Sequence, residues 1–259
     1  MGVVNVTPDS FHEAVRTPDT TAAIARGLAL FDAGCDIVDV GGESTRPGAV
    51  TVPLDEELAR VLPVVAALSQ RGRVSIDTRK AEVARAAVAA GASLLNDVSM
   101  TLPEVAGELG VGYVAMHTQG TPETMQQNPH YDDVVAEVFA ELTGLAERAR
   151  AAGVSELWLD PGIGFGKRPQ DNWTLLGHVG ALVTLAEGLG AGVLVGTSYK
   201  RFLDTAGAPL ASVGDRLEGS LATVVWALSQ GVSIVRVHDV VACTQIRDLL
   251  VRPVEEVLS

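Results

Sequence analysis

The sequence predicts an α/β fold, a (β/α)8 barrel in which residues 1–259 form a single domain. Three observations predict it. Short β-branched, apolar runs alternate along the whole chain with longer Ala-, Leu-, Glu- and Arg-rich stretches of helical period, giving eight βα units. The strand runs are continuously apolar rather than alternating, which implies a sheet buried on both faces. No linker, low-complexity segment or longer repeat divides the chain, and barrels of this class routinely reach this length as one unit. A doubly wound sheet is the alternative. Against it, the first βα turn reads Asn5-Val6-Thr7-Pro8-Asp9-Ser10-Phe11 and carries no G-x-G-x-x-G fingerprint.

In order, strands are predicted at 3–5, 37–41, 74–77, 94–97, 113–117, 157–160, 193–196 and 234–238. Helices are predicted near 20–33, 54–70, 80–90, 103–109, 131–152, 170–188, 212–230 and 241–251. Gly34, Gly72, Gly91, Gly110, Gly153 and Gly231 follow helices where a left-handed cap is expected.

Composition narrows the function. Hydrophobic residues make up 47% of the chain, which supplies a large core and excludes disorder. Nineteen Lys and Arg oppose 32 Asp and Glu, a net charge of −13. That balance argues against a nucleic-acid or anionic-membrane surface, but leaves room for an anionic substrate held by a few local cations. Cys35 and Cys243 lie far apart and form no CxxC pair, so both are expected to be buried core thiols. The run at 61–68 is too short for a membrane span, and Asn5, Thr7 and Asp9 interrupt any leader-like N-terminus. A soluble, cytoplasmic protein is expected.

Nearly every predicted strand ends in a polar residue or a glycine-rich turn: Asn5, Asp39 to Glu43, Asp77, Asn96-Asp97, His117, Asp160, Ser198-Tyr199-Lys200 and Arg236-Val237-His238. In a barrel these tips converge on the face where active sites are built. Single Asp or Asn residues at strand ends often only cap the next helix, but capping does not call for Lys, Arg and His. Asp77, Asn96 and Asp160 offer the acceptors and amide suited to a heterocycle edge. Lys200, Arg236 and His238 suit a phosphate or diphosphate. Asn5 is a neutral oxygen of the kind that suffices for Mg2+ when phosphates and waters complete its shell. The loop Asp160-Pro161-Gly162-Ile163-Gly164-Phe165-Gly166-Lys167 lets backbone approach a flat ligand beside an aromatic face.

Together these segments resemble the dihydropteroate synthase family, the folate-pathway enzymes targeted by sulfonamides. The resemblance is carried in order by Asn5 to Phe11, Gly41-Gly42-Glu43-Ser44-Thr45-Arg46-Pro47-Gly48, Ser75-Ile76-Asp77-Thr78, Asn96-Asp97-Val98-Ser99, Met116 to Pro122, the Asp160 to Lys167 loop, Gly196-Thr197-Ser198-Tyr199-Lys200, and Arg236 to Val240. It implies a TIM barrel that joins 7,8-dihydropterin-6-ylmethyl diphosphate to 4-aminobenzoate, giving 7,8-dihydropteroate and diphosphate. By matching positions it implies that Asp77, Asn96, Asp160, Lys167, Gly196 and Lys200 hold the pterin, with Met116 and Phe165 packing on its ring. It assigns the diphosphate to Arg236, His238, Thr45 and Arg46 with Mg2+ on Asn5, and the 4-aminobenzoate pocket to Phe11, Pro47 and Ser198. Catalysis falls to Lys200, Arg236 and Asp77, and the resemblance favours a homodimer.

The chain departs from the family pattern at His12-Glu13-Ala14-Val15, where Ser-Asp-Gly-Gly is usual, and at Tyr199, where an arginine is usual. If the tip at 198–200 is extended and Lys200 faces the pterin, alternation turns Tyr199 away from it. Two other readings stay open: a pterin-binding paralogue with impaired catalysis, and a methyltetrahydrofolate-binding methyltransferase partner. The Thr45-Arg46-Pro47 loop and Asn5 count against the latter.

Overall fold

The computed structural model describes residues 1–7, 20–45, 48–121, 123–206 and 216–251. Its strands are β1 (Gly2–Asn5), β2 (Ile37–Gly41), β3 (Arg73–Asp77), β4 (Leu94–Asp97), β5 (Gly112–Met116), β6 (Leu157–Asp160), β7 (Gly192–Val195) and β8 (Ile234–Val235). All neighbours are parallel and follow sequence order. A parallel bridge between Gly2 and Val237 joins the end of the β8 segment back to β1, with the Val237 N–H donating to the Met1 carbonyl at 3.0 Å. The strands thus close into the predicted barrel, and the doubly wound alternative falls.

Around it lie α1 (Thr20–Asp32), α2 (Leu54–Leu68), α3 (Ala81–Ala89), α4 (Pro103–Leu109), α5 (Val134–Ala151), α6 (Pro169–Gly177), α7 (Val179–Gly188), α8 (Leu217–Ser229) and α9 (Val240–Val251). Among the described residues no helix is long and apolar enough to cross a membrane.

The strand register explains the continuously apolar runs. Paired residues share a face, and successive residues along a strand alternate between faces. Asn5 pairs Gly41, Gly41 pairs Asp77, Asp77 pairs Asn96, Asn96 pairs Val114 and Val114 pairs Trp158. One parity, with Ile37, Leu94, Val114, Leu194, Trp158 and Ile234, packs as a small cluster of its own inside the barrel. The other parity, with Val4, Val38, Val74, Leu95, Tyr113, Leu159 and Val193, joins the large cluster under the helices. Each strand is therefore apolar on both sides, by different residues.

Some boundaries differ from expectation. The helix predicted over 170–188 breaks at His178, whose N–H is shared between the carbonyls of Thr174 and Leu175. The helix predicted from 131 starts at Val134, because the Asp133 carboxylate accepts the N–H groups of Val135 and Ala136 at 3.0 Å each. Strand β8 is shorter than predicted, and β7 ends at Val195, so the tips at 198–200 and 236–238 are loops rather than strand ends. Residues 212–215 of the helix predicted over 212–230 lie outside the described residues. Five of the six predicted cap glycines have positive φ; Gly72 does not, and is required because a Cβ there would lie 2.5 Å from the Phe31 ring. Cys243 is buried and Cys35 is half-buried, with its thiol 2.9 Å from the Ile37 carbonyl.

Parity also separates Asn96 from Asp97. Asn96 faces inward, whereas Asp97 faces the helices, where it accepts from Leu102 N–H at 2.8 Å, Ser99 N–H at 2.8 Å and the Tyr113 hydroxyl at 2.8 Å. Burial and the Asp97 charge push the Tyr113 phenol upward, keeping it a donor. Asp97→Ala strips these donors, and the Ser99 hydroxyl that also bonds the carboxylate, of their acceptor. The expected loss is about 3 kcal/mol, seen as a fall in Tm of roughly 6–10 °C in calorimetric melts.

Candidate functional site

The inward parity delivers one set of polar side chains to the C-terminal mouth of the barrel: Asn5, Asp39, Asp77, Asn96 and Asp160, with Arg236 just beyond β8. They are in direct contact. Arg236 Nε donates to Asp39 Oδ2 at 2.7 Å and Nη2 to Asp77 Oδ2 at 2.9 Å, while Asn96 Nδ2 donates to Asp39 Oδ2 at 3.0 Å. Met116 is buried at the inner tip of β5. At Gly196 a Cβ would sit 3.5 Å from Arg236 Cβ and 3.8 Å from Lys200 Nζ, so the bare glycine keeps that wall flat.

Three oxygens of this set, Asp39 Oδ1, Asp77 Oδ1 and Asn96 Oδ1, are buried without a hydrogen-bond partner among the described residues. Unsatisfied buried acceptors are rare and call for a donor. Burial, reinforced by Asp39, Glu57 and Asp97 and opposed by Arg236, pushes the Asp77 carboxyl up to about 7. Burial likewise raises Asp160 against the pull of Lys200, the Gly162 N–H, Lys167 and Arg236. It lowers Lys200 to about 8, with Asp160 acting in the opposite sense. For Arg236 burial opposes the charge, but Asp39 and Asp77 outweigh it and hold the guanidinium above its usual range. The mouth is a compact mixture of charges in which Arg236 is paired with Asp39 and Asp77.

The loop after β6 turns on three left-handed glycines, Gly162, Gly164 and Gly166, with φ of 64°, 85° and 61°. Asp160 Oδ1 accepts the Gly162 N–H at 2.8 Å. Phe165 is reached by Lys200, whose Nζ lies 4.7 Å from the ring centroid while donating to the Ile163 carbonyl. Lys167, expected to hold the pterin, is buried. Its ammonium is engaged by His117 Nδ1 at 2.8 Å and the Phe165 carbonyl at 3.0 Å. His117 follows Met116 and so takes the outward parity, toward α5.

The tip at 198–200 is not extended. Tyr199 has φ 57°, a left-handed turn, so strict alternation does not apply there. Its ring meets the His238 ring edge-on at 5.9 Å, and its hydroxyl is pushed up to about 12, chiefly by a hydrogen bond to Asp239. Ser198, expected in the 4-aminobenzoate pocket, has its hydroxyl on His238: Oγ lies 3.0 Å from His238 Nδ1 and 3.2 Å from its N–H. Arg236, expected to bind the diphosphate, is held between Asp39 and Asp77. Its remaining donors have no partner among the described residues. Thr45 and Asn5 are half-buried; Phe11, Arg46 and Pro47 lie outside the described residues, as do His12 to Val15.

Asp39 is the residue whose part went unread. It sits in the Asp39-Val40-Gly41 tip, but only three-dimensional contact shows it gripping Arg236 and Asn96. A second group also escaped. Buried Glu57 on α2 pairs with Lys80 and accepts from the Thr78 hydroxyl at 2.7 Å, while Glu43 pairs with Lys80 and Arg79 at 2.6 Å each and accepts the Val52 N–H at 2.9 Å. These contacts pin both ends of the loop that carries Thr45. No sequence signal marks Glu57, one acid among several on an amphipathic helix.

A family model described as pterin binding enzyme matches residues 1–238. The dihydropteroate synthase of Escherichia coli K12 is 44% identical over 250 residues, covering 93% of this chain and 86% of its own. A Haloferax volcanii protein named as a probable bifunctional folylpolyglutamate synthase/dihydropteroate synthase is 44% identical over 93% of this chain, which spans 29% of that longer protein. Among solved structures, Xanthomonas albilineans dihydropteroate synthase with 4-aminobenzoic acid superposes with a TM-score of 0.85 at 43% identity, covering 98% of this chain and 93% of its own. The chain belongs to the pterin-binding enzyme family.

The raised Asp77 value has a consequence for stability. In the folded state the carboxyl keeps its proton to about pH 7, whereas an ordinary aspartate releases it near 3.8. Between those values the folded state binds more protons, so this group lowers stability as pH rises. Asp77→Asn removes that slope. Melts at pH 4.5 and 7.5 are expected to show the variant gaining on the wild type at the higher pH by roughly 2 °C or more, while pterin affinity falls.

Proposed function

We propose that the chain is a dihydropteroate synthase, a transferase that joins 7,8-dihydropterin-6-ylmethyl diphosphate to 4-aminobenzoate and releases diphosphate. The observation that carries this reading is the row of buried acceptors without donors, Asp39 Oδ1, Asp77 Oδ1 and Asn96 Oδ1, facing the same mouth as Asp160 and Lys200. A dihydropterin brings an amino group and ring N–H groups on one side and a carbonyl oxygen on another. The donors suit the carboxylates and the Asn96 amide oxygen, and the carbonyl suits the Lys200 ammonium. Met116, Gly196 and Phe165 offer the flat walls a fused ring needs. A ligand without those donors leaves the acceptors desolvated and unpaired, so selection is strong. The names of the Escherichia coli and Xanthomonas albilineans relatives support the same reading.

In the reaction the bond between the pterin methylene carbon and the diphosphate oxygen breaks, and its electron pair leaves with the diphosphate. The amine nitrogen of 4-aminobenzoate then bonds to that carbon and gives up a proton to solvent. The step depends on charge stabilisation of the leaving group. The reading assigns this to His238, Thr45, Arg46 and the unused donors of Arg236, and assigns Phe11 and Pro47 to the 4-aminobenzoate pocket. Ser198 then acts on that side by orienting His238.

Mg2+ belongs to the same proposal. Among the described residues no three His, Cys, Asp or Glu gather into a metal cage. Asn5 stands at the inner tip of β1 beside Gly41, where a Cβ would come 3.8 Å from its Oδ1, so the missing side chain leaves space there. A cation held by one protein oxygen takes its other ligands from diphosphate and water, as Mg2+ prefers. When bound it would add positive charge beside the departing diphosphate. A homodimer is also proposed. Val225 and Trp226 on α8 and Val241, Leu249 and Leu250 on adjacent α9 are exposed apolar residues that a second copy would cover.

Purified protein given the pterin diphosphate, 4-aminobenzoate and Mg2+ is expected to release diphosphate. Pterin binding without release would instead support the impaired paralogue. Asp160→Ala should stay folded and lose pterin affinity at least about tenfold by calorimetry, since a charged hydrogen bond in a dry site is worth about 1.5–3 kcal/mol; an unchanged affinity removes Asp160 from the pocket. In sedimentation, Val225→Asp should convert the dimer to monomer, and a monomeric wild type would overturn that part.

A further inference from the structure

Lys167 is 2% exposed, yet it belongs to neither the pterin acceptors nor the diphosphate group. Its amine lies under the 160–166 loop and touches that loop from beneath. It holds the Phe165 carbonyl at 3.0 Å and comes within 3.4 Å of the point a Gly162 Cβ would occupy. Its other partner, His117 Nδ1 at 2.8 Å, is anchored to the same loop, because the His117 N–H donates to the Asp160 carbonyl at 2.9 Å. Gly162 packs so tightly here that a Cβ would fall 1.8 Å from the His117 carbonyl oxygen. On its far side His117 Nε2 lies 3.3 Å from Glu141 Oε2 on α5.

Burial and the nearby Lys167 charge lower His117 to about 3, so the ring is neutral. Lys167 donates to Nδ1, which places the ring proton on Nε2, directed at Glu141. The three residues form one directed chain, from the ammonium through a neutral imidazole to a carboxylate at the surface.

We propose that Lys167 is a positioning residue of the pterin site: its buried ammonium, supported through His117 by Glu141, holds the 160–166 loop in the conformation that presents the Asp160 carboxylate and the Phe165 ring. This rests on the reading of the mouth as a pterin pocket. Charge-assisted hydrogen bonds are about twice as strong as neutral ones, so the hold on Phe165 and His117 depends on the Lys167 proton. The same charge is one of those that pull Asp160 down against the rise that burial imposes. The groups that face Lys167 are Asp160 after β6, Lys200 after β7, Glu141 on α5, Asp171 on α6, His117 after β5 and the Tyr131 ring. Burial dominates and lowers Lys167 to about 7, with Asp160 and Glu141 pulling it back up. Loss of its proton near neutrality therefore loosens the loop.

The test is calorimetric affinity for a free pterin from pH 5.5 to 9, with melts at each pH, for the wild type, Lys167→Met and Glu141→Gln. The wild type should lose affinity on the alkaline side. In Glu141→Gln that limb should move to lower pH by about half a unit, because the carboxylate that supports the Lys167 charge is gone. Lys200 and Asp77 also titrate in this range, but Glu141 is not among the charges acting on either, so a moved limb assigns the titration to Lys167. Lys167→Met should lose affinity about tenfold at pH 6 and keep only that part of the limb which Lys200 sets, with KM for 4-aminobenzoate at saturating pterin unchanged. Wild-type affinity and pH profile in a folded Lys167→Met overturn the proposal alone. If that variant does not fold, an unmoved limb in Glu141→Gln overturns it and a moved one sustains it. A wild type that binds no pterin overturns the reading of the pocket as well.

Discussion

The strand-borne wall of the mouth depends on one constraint, the two-residue alternation of a strand in a barrel closed with a single register. Closure leaves each strand only one inward position near its tip, and the register decides which. Asn96 enters the mouth and Asp97 does not; Met116 enters and His117 does not; Asp39 enters between two valines that face the helices. A slip of one residue on β2 would exchange these roles and put a valine where the Asp39 carboxylate now stands. The outward neighbours are not idle. Asp97 organises the start of α4, and His117 supports the loop from Asp160. Adjacent polar residues at a tip thus serve two sides of one wall.

What the alternation concentrates is charge, and that has an energetic penalty. Buried Asp39, Asp77 and Asp160 stand with half-buried Arg236 and Lys200 at the mouth. Stripping the water from each such ion costs several kcal/mol even after relaxation, and pairing returns only part of it. The upward shift of Asp77 and the downward shift of Lys200 both express the deficit. Arg236 is the exception, because two carboxylates flank it at hydrogen-bond distance. The hydrophobic clusters on the two faces of the barrel carry this unfavourable centre. A pocket selected for stability alone would hold leucines.

The barrel, its order and most element positions were legible because they follow from periodicity, which is a local property of sequence. So was the set of strand-tip residues, since polar side chains at the ends of apolar runs stand out. The partners were not legible. Asp39 and Arg236 are 197 residues apart, and their contact follows from closure of the ring, which no local pattern encodes. The partners of Lys167, His117 and the Phe165 carbonyl, were not legible for a related reason: a glycine loop frees the backbone direction, so position in sequence no longer determines where the side chain goes. The break at His178 escaped because α6 and α7 keep apolar residues at helical spacing across the join.

Where the alternation stops, beyond β7, direction has to be set by other means, and Tyr199 shows how. A left-handed backbone at a bulky residue costs on the order of 1–3 kcal/mol and persists only when its surroundings over-determine it. Here they do. The Tyr199 N–H donates to Ser220 Oγ at 2.9 Å, its carbonyl accepts from Arg216 at 3.0 Å, its ring packs on His238 and its hydroxyl bonds Asp239. The turn sends the chain back on itself, so that the next residue, Lys200, reaches across the mouth to the loop from Asp160 and Phe165. The departure from the family's arginine at 199 therefore falls at a hinge of geometry. It gives up a fixed charge, while the contacts that aim Lys200 and steady His238 are supplied by an aromatic ring, a hydroxyl and two backbone hydrogen bonds.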